Sequence, residues 1–220
     1  MAFLSVLFHS SREPMAEYYK IHPENPQLRL VQKSVRLLRD GGIVAYPTDS
    51  GYALGCHLGD KSAHDRLCQI RQVGEEHNFT LICRDLSEVS TYAVFDTPVY
   101  RLLKSHTPGP YTFVLQATKE VPRRLIHPKR KTIGLRVPGH RIAQAILEEL
   151  GEPMLSTTLV LPPDEFPMSD PLEIRKKLED QIELVIDGGW CGADPTSVVN
   201  LMEYPYLVLR RGKGDVSAFE

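Results

Sequence analysis

The chain has 220 residues, of which 42% are hydrophobic and 25% charged, and a formal net charge of -2. These are ordinary soluble-globular values; they exclude a fibre, a disordered chain and a uniformly basic nucleic-acid coat, so a polyanion partner has to meet a local basic patch. No apolar run approaches the ~20 residues that a membrane helix needs, and the length suits one core. Met1 to Phe8 is apolar but has no basic flank and no small-residue cleavage site, so it does not read as a signal peptide. Met15 is an alternative start, which leaves residues 1–14 as an N-terminal extension and 15–220 as the domain.

Asn25-Pro26 is the expected cap and first-turn proline of a helix whose Leu28, Val31, Val35 and Leu38 share one face until Gly41-Gly42. Ile43 to Tyr46 then reads as a short buried strand that ends at Pro47, which has no N–H to give. Thr48 to Gly55 reads as a turn dense in hydroxyls, with the carboxylate of Asp49. Such a loop beyond the carboxyl end of a strand suits a small ligand, although a merely polar turn has the same composition.

Asp60 or Ser62 caps a second helix with Ala63, Leu67 and Ile70 inward, and Phe79 to Cys83 follows as a buried strand. Asp85 and Asp96 start two more helical segments, the second stopped by Thr107-Pro108-Gly109-Pro110 before a strand at Tyr111 to Ala117. Val121 to Lys131 is the densest positive stretch, with Arg123, Arg124, His127, Lys129, Arg130 and Lys131. Thr132 to Val137 is a strand and Arg141 to Leu150 a helix closed by Gly151, with His140 at its start. Pro153 to Val160 is a strand, Asp170-Pro171-x-Glu173 launches a helix to about Asp180, and Ile182 to Ile186, Ser197 to Leu201 and Tyr206 to Arg211 finish as strands.

Four cysteines lie far apart and eight histidines include no metal-binding pair, so no metal site is supported by spacing and the thiols read as buried in a reducing cytoplasm. The alternation of helix and strand gives an α/β fold.

Six motifs stand in order along the chain. They are Tyr46-Pro47-Thr48-Asp49-x-x-Tyr52-x-Leu54-Gly55, Thr107-Pro108-Gly109-Pro110-x-Thr112-Phe113, Arg136-Val137-Pro138-x-His140, Pro153-Met154-Leu155-Ser156-Thr157-Thr158, Pro195-Thr196-Ser197-Val198-Val199 and Leu209-Arg210-Arg211-Gly212. Together they resemble the YrdC/YciO family over residues 25–214. The resemblance implies a single-domain twisted, mainly mixed β-sheet flanked by helices, with a concave basic groove. In the best understood branch that groove takes ATP, with Mg²⁺ on its phosphates, together with L-threonine and bicarbonate. It makes L-threonylcarbamoyladenylate and pyrophosphate for tRNA modification, in the cytoplasm, and the family is also described as binding double-stranded RNA.

Carried over by motif, Arg71, Arg136 and Ser156 are the expected catalytic residues. Arg71, Thr107, Arg136, Ser156, Thr158, Thr196, Ser197 and Arg210 are expected to bind nucleotide, and Thr48, Asp49 and Tyr52 the small substrate. Cations and oriented hydroxyls suit adenylation, which neutralises a polyphosphate while an acyl oxygen attacks the α-phosphorus. Arg123, Arg124, Lys129, Arg130 and Lys131 are the expected RNA contacts. Each has a plainer reading: a strand-face ion pair for Arg136, solvated hydroxyls for Ser156 to Thr158, a helix start for His140, and a solvated loop for the basic run.

Two departures point to the YciO branch. Where the synthase branch has K-x-R this chain has Arg71-Gln72-Val73, and where it has S-x-N this chain has Thr158-Leu159-Val160. Contacts of this kind are worth roughly 1.5–3 kcal/mol each, so turnover is expected to fall. The alternative is a non-synthase double-stranded RNA, tRNA or rRNA binder that kept the groove.

Overall fold

Among the described residues aspartates start four of the six α-helices. In the computed structural model, which describes residues 15–74, 77–164 and 166–220, the side chains of Asp60, Asp85, Asp96 and Asp170 accept the N–H groups of Ala63, Glu88, Val99 and Leu172. Each satisfies a donor that the helix itself leaves unpaired. In chain order the elements are β1 (Glu17–Lys20), α1 (Leu28–Arg39), β2 (Val44–Thr48), β3 (Gly51–His57), α2 (Lys61–Arg71), β4 (Thr80–Ile82), α3 (Leu86–Tyr92), β5 (Ala93–Val94) and α4 (Thr97–His106). There follow β6 (Tyr111–Ala117), β7 (Thr132–Arg136), α5 (Arg141–Leu150), β8 (Met154–Thr158), α6 (Pro171–Leu178), β9 (Leu184–Asp187), β10 (Ser197–Asn200) and β11 (Leu207–Arg210).

Among the described residues the strands form one eleven-stranded sheet in the order β1-β9-β2-β3-β8-β4-β7-β6-β10-β11, with β5 paired to β6 off that path. It is mixed: β1 with β9, β9 with β2, β4 with β7 and β6 with β10 run parallel, and the other neighbours antiparallel. The expected single-domain mixed sheet flanked by helices is therefore what the chain forms. On one side α1 and α5 lay Val31, Val35, Leu38, Ile142 and Ile146 against Val44, Tyr46, Leu184 and Ile186. A second cluster joins α2, α4 and α6, through Leu67, Leu103 and Ile174, to Leu54, Leu81, Phe113 and Leu135. Each fully buried Leu, Ile or Phe stabilises by about 1.5–3 kcal/mol. No helix among the described residues is long and apolar enough to cross a membrane.

Three local expectations are corrected. The cap of α1 is Gln27, not Asn25, and Leu28 is exposed rather than inward. Pro47 lies inside β2, opposite Tyr52; β9 pairs with β2 only at Val44 and Ala45, so the ladder on that side is already open where Pro47 comes. The stretch read as a hydroxyl-rich turn is mostly strand: the reversal is confined to Asp49-Ser50, and Gly51–His57 is buried in the sheet. Gly51 makes this tight reversal with φ of +123°, and a Cβ there would lie 2.9 Å from the Gly192 carbonyl. The extension proposed for residues 1–14 lies outside the described residues.

Candidate functional site

Side-chain alternation on the central strands builds the floor of the site. Phe113, Leu115, Leu81 and Leu135 go to the hydrophobic core, which turns Thr112 and Val114, Thr80 and Ile82, and Gly134 and Arg136 into a cavity of about 600 Å³. Gly134 keeps the floor low, since a Cβ there would come within 3.3 Å of Thr80 Oγ1 and 3.4 Å of Thr112 Cγ2. The walls come from the end of α2 and the loop after it (Arg71, His77, Asn78), the β2–β3 hairpin (Thr48, Ser50, Tyr52), the end of β8 (Thr157, Thr158), the start of β10 (Thr196) and Arg210.

Among the described lining residues are four arginines, Arg71, Arg130, Arg136 and Arg210, and no Asp or Glu. Arg136 is paired through its Nη2 with Asp49, whose other carboxylate oxygen accepts the Gly139 N–H at 2.9 Å. Lys213 Nζ donates to the Asp49 carbonyl at 2.6 Å and closes the same turn. Arg210 is braced by Thr196, donating to its carbonyl at 2.9 Å and its hydroxyl at 2.8 Å. The Nε atoms of Arg71 and Arg136 are buried and have no hydrogen-bond partner among the described residues. Burial lowers the pKa of Arg71, and burial together with the charge of Arg136 lowers that of Arg210. Buried guanidinium N–H groups without acceptors are costly, and an anion in the cavity relieves that cost.

Of the residues singled out in the sequence, Arg71, Arg136, Arg210, Thr48, Tyr52, Thr158 and Thr196 meet at this one cavity. Asp49 touches it through Arg136. Three nucleotide candidates are not brought to the wall. Ser156 is buried, donating to the Leu54 carbonyl at 3.2 Å and bonded to the Tyr46 hydroxyl at 2.6 Å. Thr107 turns back to the Leu103 carbonyl at 2.7 Å to close α4. Ser197 donates to the Gly214 carbonyl at 2.5 Å and accepts from Gly212 N at 3.0 Å, pinning the chain after β11.

Tyr52 contributes its ring, because its hydroxyl donates to the Gly189 carbonyl at 2.8 Å. Of the basic run, Arg130 and His127 reach the cavity, while Arg123, Arg124, Lys129 and Lys131 are exposed and Arg124 donates to the Leu58 carbonyl at 2.8 Å. His140 is the N-cap of α5. Val73 packs against the core and Val160 lines the cavity with an apolar side chain, so neither of the two departures offers the cavity a polar group. In the sequence His77-Asn78-Phe79-Thr80-Leu81 resembles the YciO branch, but no site role follows from it; the signal for one is that His77 and Asn78 stand between the helix that ends at Arg71 and a buried strand.

Among the described residues no three His, Cys, Asp or Glu side chains come together as metal ligands. Cys56, Cys83 and Cys191 are buried, and burial pushes the thiols of Cys56 and Cys191 up to about 12 and about 11. Such thiols are poor nucleophiles.

The family model named Sua5/yciO/yrdC, with the description telomere recombination, matches residues 36–212. The chain belongs to the Sua5/YciO/YrdC family. It is 57% identical to the "Uncharacterized protein YciO" of Escherichia coli (strain K12) over 205 residues, which is 93% of this chain and 100% of that one. The crystal structure of E. coli YciO superposes with a TM-score of 0.91, covering 94% of this chain and 100% of that chain. A more distant member of the family, the threonylcarbamoyl-AMP synthase of Idiomarina loihiensis, is 34% identical over 164 residues, 72% of this chain and 87% of its own. P. abyssi Sua5, crystallised with L-threonine, shares the fold at a TM-score of 0.81 and 24% identity, over 89% of this chain and 57% of its own.

Proposed function

We propose that this chain binds Mg²⁺·ATP and L-threonine in the cavity and, with bicarbonate, forms threonylcarbamoyl-AMP and pyrophosphate at a slow rate, in the service of tRNA modification. The observation that carries this reading is the pair of buried guanidinium Nε atoms, on Arg71 and Arg136, that have no partner among the described residues, in a cavity whose described lining holds four arginines and no carboxylate. A polyphosphate supplies the acceptors that these donors lack. The synthase name of the Idiomarina relative and the threonine bound to P. abyssi Sua5 support the same choice of substrates.

Arg71, Arg136 and Arg210 neutralise the phosphates, and the hydroxyls of Thr158 and Thr196 orient them. Asp49 holds Arg136, and Thr48 and Tyr52 shape the wall for the amino acid. Ser156 supports β8 from behind, through Tyr46. Mg²⁺ comes with the nucleotide, bound through its phosphates. Without a second cation beside Arg71 or an amide at Val160, the transition state has fewer contacts and the reaction is slow.

Pyrophosphate release from ATP is the test, measured with L-threonine and bicarbonate together and with each left out. Release that requires both supports the reading; absence of release above a protein-free background overturns it.

The exposed basic residues beside the cavity favour a second reading, in which the groove holds a phosphate of double-stranded RNA, tRNA or rRNA and Arg123, Arg124, Lys129 and Lys131 follow its backbone. Affinity for such an RNA then falls steeply as salt rises. An RNA interaction that is absent, or indifferent to salt, removes this reading.

A further inference from the structure

His77 stands in the cavity wall beside Arg71, half-buried. Its ring packs edge-on against Phe79, with centroids 4.9 Å apart. Nε2 lies 3.4 Å from Thr157 Oγ1, and Nδ1 has no hydrogen bond among the described residues. The backbone holds the ring in place, since His77 N donates to the Gly74 carbonyl and Phe79 N to the His77 carbonyl, both at 3.0 Å.

We propose that His77 is a phosphate-contacting residue of this site, neutral in the free protein, which takes up one proton when a polyphosphate binds and then donates to a phosphate oxygen. The inference rests on the reading of the cavity as a polyphosphate site. The described cavity wall also carries His127, Arg130, Arg136 and Arg210, but the charge that acts on His77 is that of Arg71, at the end of α2; β8 presents the neutral Thr157 and Thr158, and His64 lies beyond Phe79, its ring 4.9 Å from that of Phe79. Glu75 and Glu76 precede it outside the described residues.

Burial and the positive charge of Arg71 lower the His77 pKa, so the free imidazole carries no charge at neutral pH. A polyphosphate between Arg71 and His77 reverses the second influence: it neutralises the guanidinium and adds negative charge beside the ring. Protonated, the imidazole donates from both nitrogens, one toward Thr157 Oγ1 and the other to the ligand. The proton comes from solvent and returns there on release, so no other group has to change its charge.

The bound-state pKa is raised above the free-state pKa. The contribution of His77 is therefore full at low pH and is lost as pH rises through the bound-state value. The test uses inorganic tripolyphosphate and ATP as probes. Calorimetry in two buffers of different ionisation enthalpy reads proton uptake, for the whole protein and for His77→Gln. The ligand's own titration is common to both proteins and cancels in the comparison.

Expected is an uptake near neutral pH that is up to one proton larger in the wild type. The ratio of wild-type to H77Q association constants should fall by about tenfold from pH 6 to pH 8. The imidazole Cε1–H resonance of His77 in the wild type, titrated with and without tripolyphosphate, should show the raised pKa without recourse to any variant. Binding with equal uptake in both proteins, or an imidazole pKa that tripolyphosphate leaves unmoved, overturns the role of His77 alone. If neither probe binds at pH 6 or pH 8, the polyphosphate reading fails and His77 falls with it.

Discussion

Arg136, at the end of β7, and Asp49, in the two-residue turn between β2 and β3, form an ion pair that joins two halves of the cavity wall. Arg136 is buried and Asp49 nearly so, and Gly139 N shares the same carboxylate. The sequence pattern that makes Arg136 look like a ligand for phosphate thus also gives it a fixed protein partner. A guanidinium has donors for both, and pairing holds it at the angle a ligand needs. Asp49→Ala leaves a buried cation without its counter-charge, which costs about 3 kcal/mol. For a chain of this length the melting temperature should drop by about 6–12 °C. A variant that melts within a degree or two of the wild type would show that the pair contributes nothing to stability.

Arg71 has no partner among the described residues at its buried Nε, so its removal should cost the ligand more than the fold. Arg71→Ala should weaken ATP by about 1.5–3 kcal/mol, roughly tenfold to hundredfold. Stability should change little or rise, because an unsatisfied buried donor is lost. Calorimetric titration with ATP beside a thermal melt separates the two. A large loss of stability with unchanged affinity would place Arg71 among the structural residues.

The parts of the fold that were legible in the sequence are those set by local chemistry. The aspartate caps at Asp60, Asp85, Asp96 and Asp170, the Gly151 stop of α5 and the turn before Tyr111 all depend on residues a few positions apart. The parts that were not legible depend on partners far along the chain. Gly51–His57 has the composition of a turn and becomes a strand because β2 and β8 pair on either side of it. Glu17–Lys20 is polar and becomes β1 because β9 offers a parallel edge.

The site divides the same way. Strand alternation places Thr112, Gly134 and Arg136 on one floor. Nothing local to Ser156, Thr107 or Ser197 says that each hydroxyl is taken by a neighbour rather than offered to a ligand.

Ser156 gives a direct test of that distinction. Its hydroxyl donates to the Leu54 carbonyl, so the Tyr46 hydroxyl donates to it, and both groups are buried. Ser156→Ala leaves Tyr46 without its acceptor and should cost about 1–3 kcal/mol of stability. ATP affinity should stay within about twofold of the wild type. A loss of affinity of tenfold or more in a protein of normal stability would return Ser156 to direct contact with the nucleotide.

Gly134 tests the floor. A side chain here fills the space between Thr80 and Thr112, at 3.3–3.4 Å from its first carbon. Gly134→Val should destabilise by about 1–3 kcal/mol through overpacking and reduce ATP binding beyond detection, since the added methyls stand in the cavity. A folded G134V protein that binds ATP as tightly as the wild type would show that the ligand sits elsewhere.

His140 ties stability to pH. It caps α5 by accepting the Ile142 N–H at its Nδ1, 3.2 Å away, which only an unprotonated nitrogen does. Burial lowers its pKa and Arg136 adds to this, against Asp49 and Glu24, which raise it. The folded-state pKa therefore lies below the unfolded value of about 6.5. The unfolded chain binds the proton more readily, so the stabilisation is complete above about pH 6.5 and is lost as pH falls from there through the folded-state pKa. His140→Asn keeps an N-cap acceptor that does not titrate. Melting temperatures of the two proteins from pH 8 to pH 5 should run together at the alkaline end and separate in acid, with H140N falling less. Parallel curves over the whole range would mean that His140 stays neutral, or is charged equally, in both the folded and the unfolded chain.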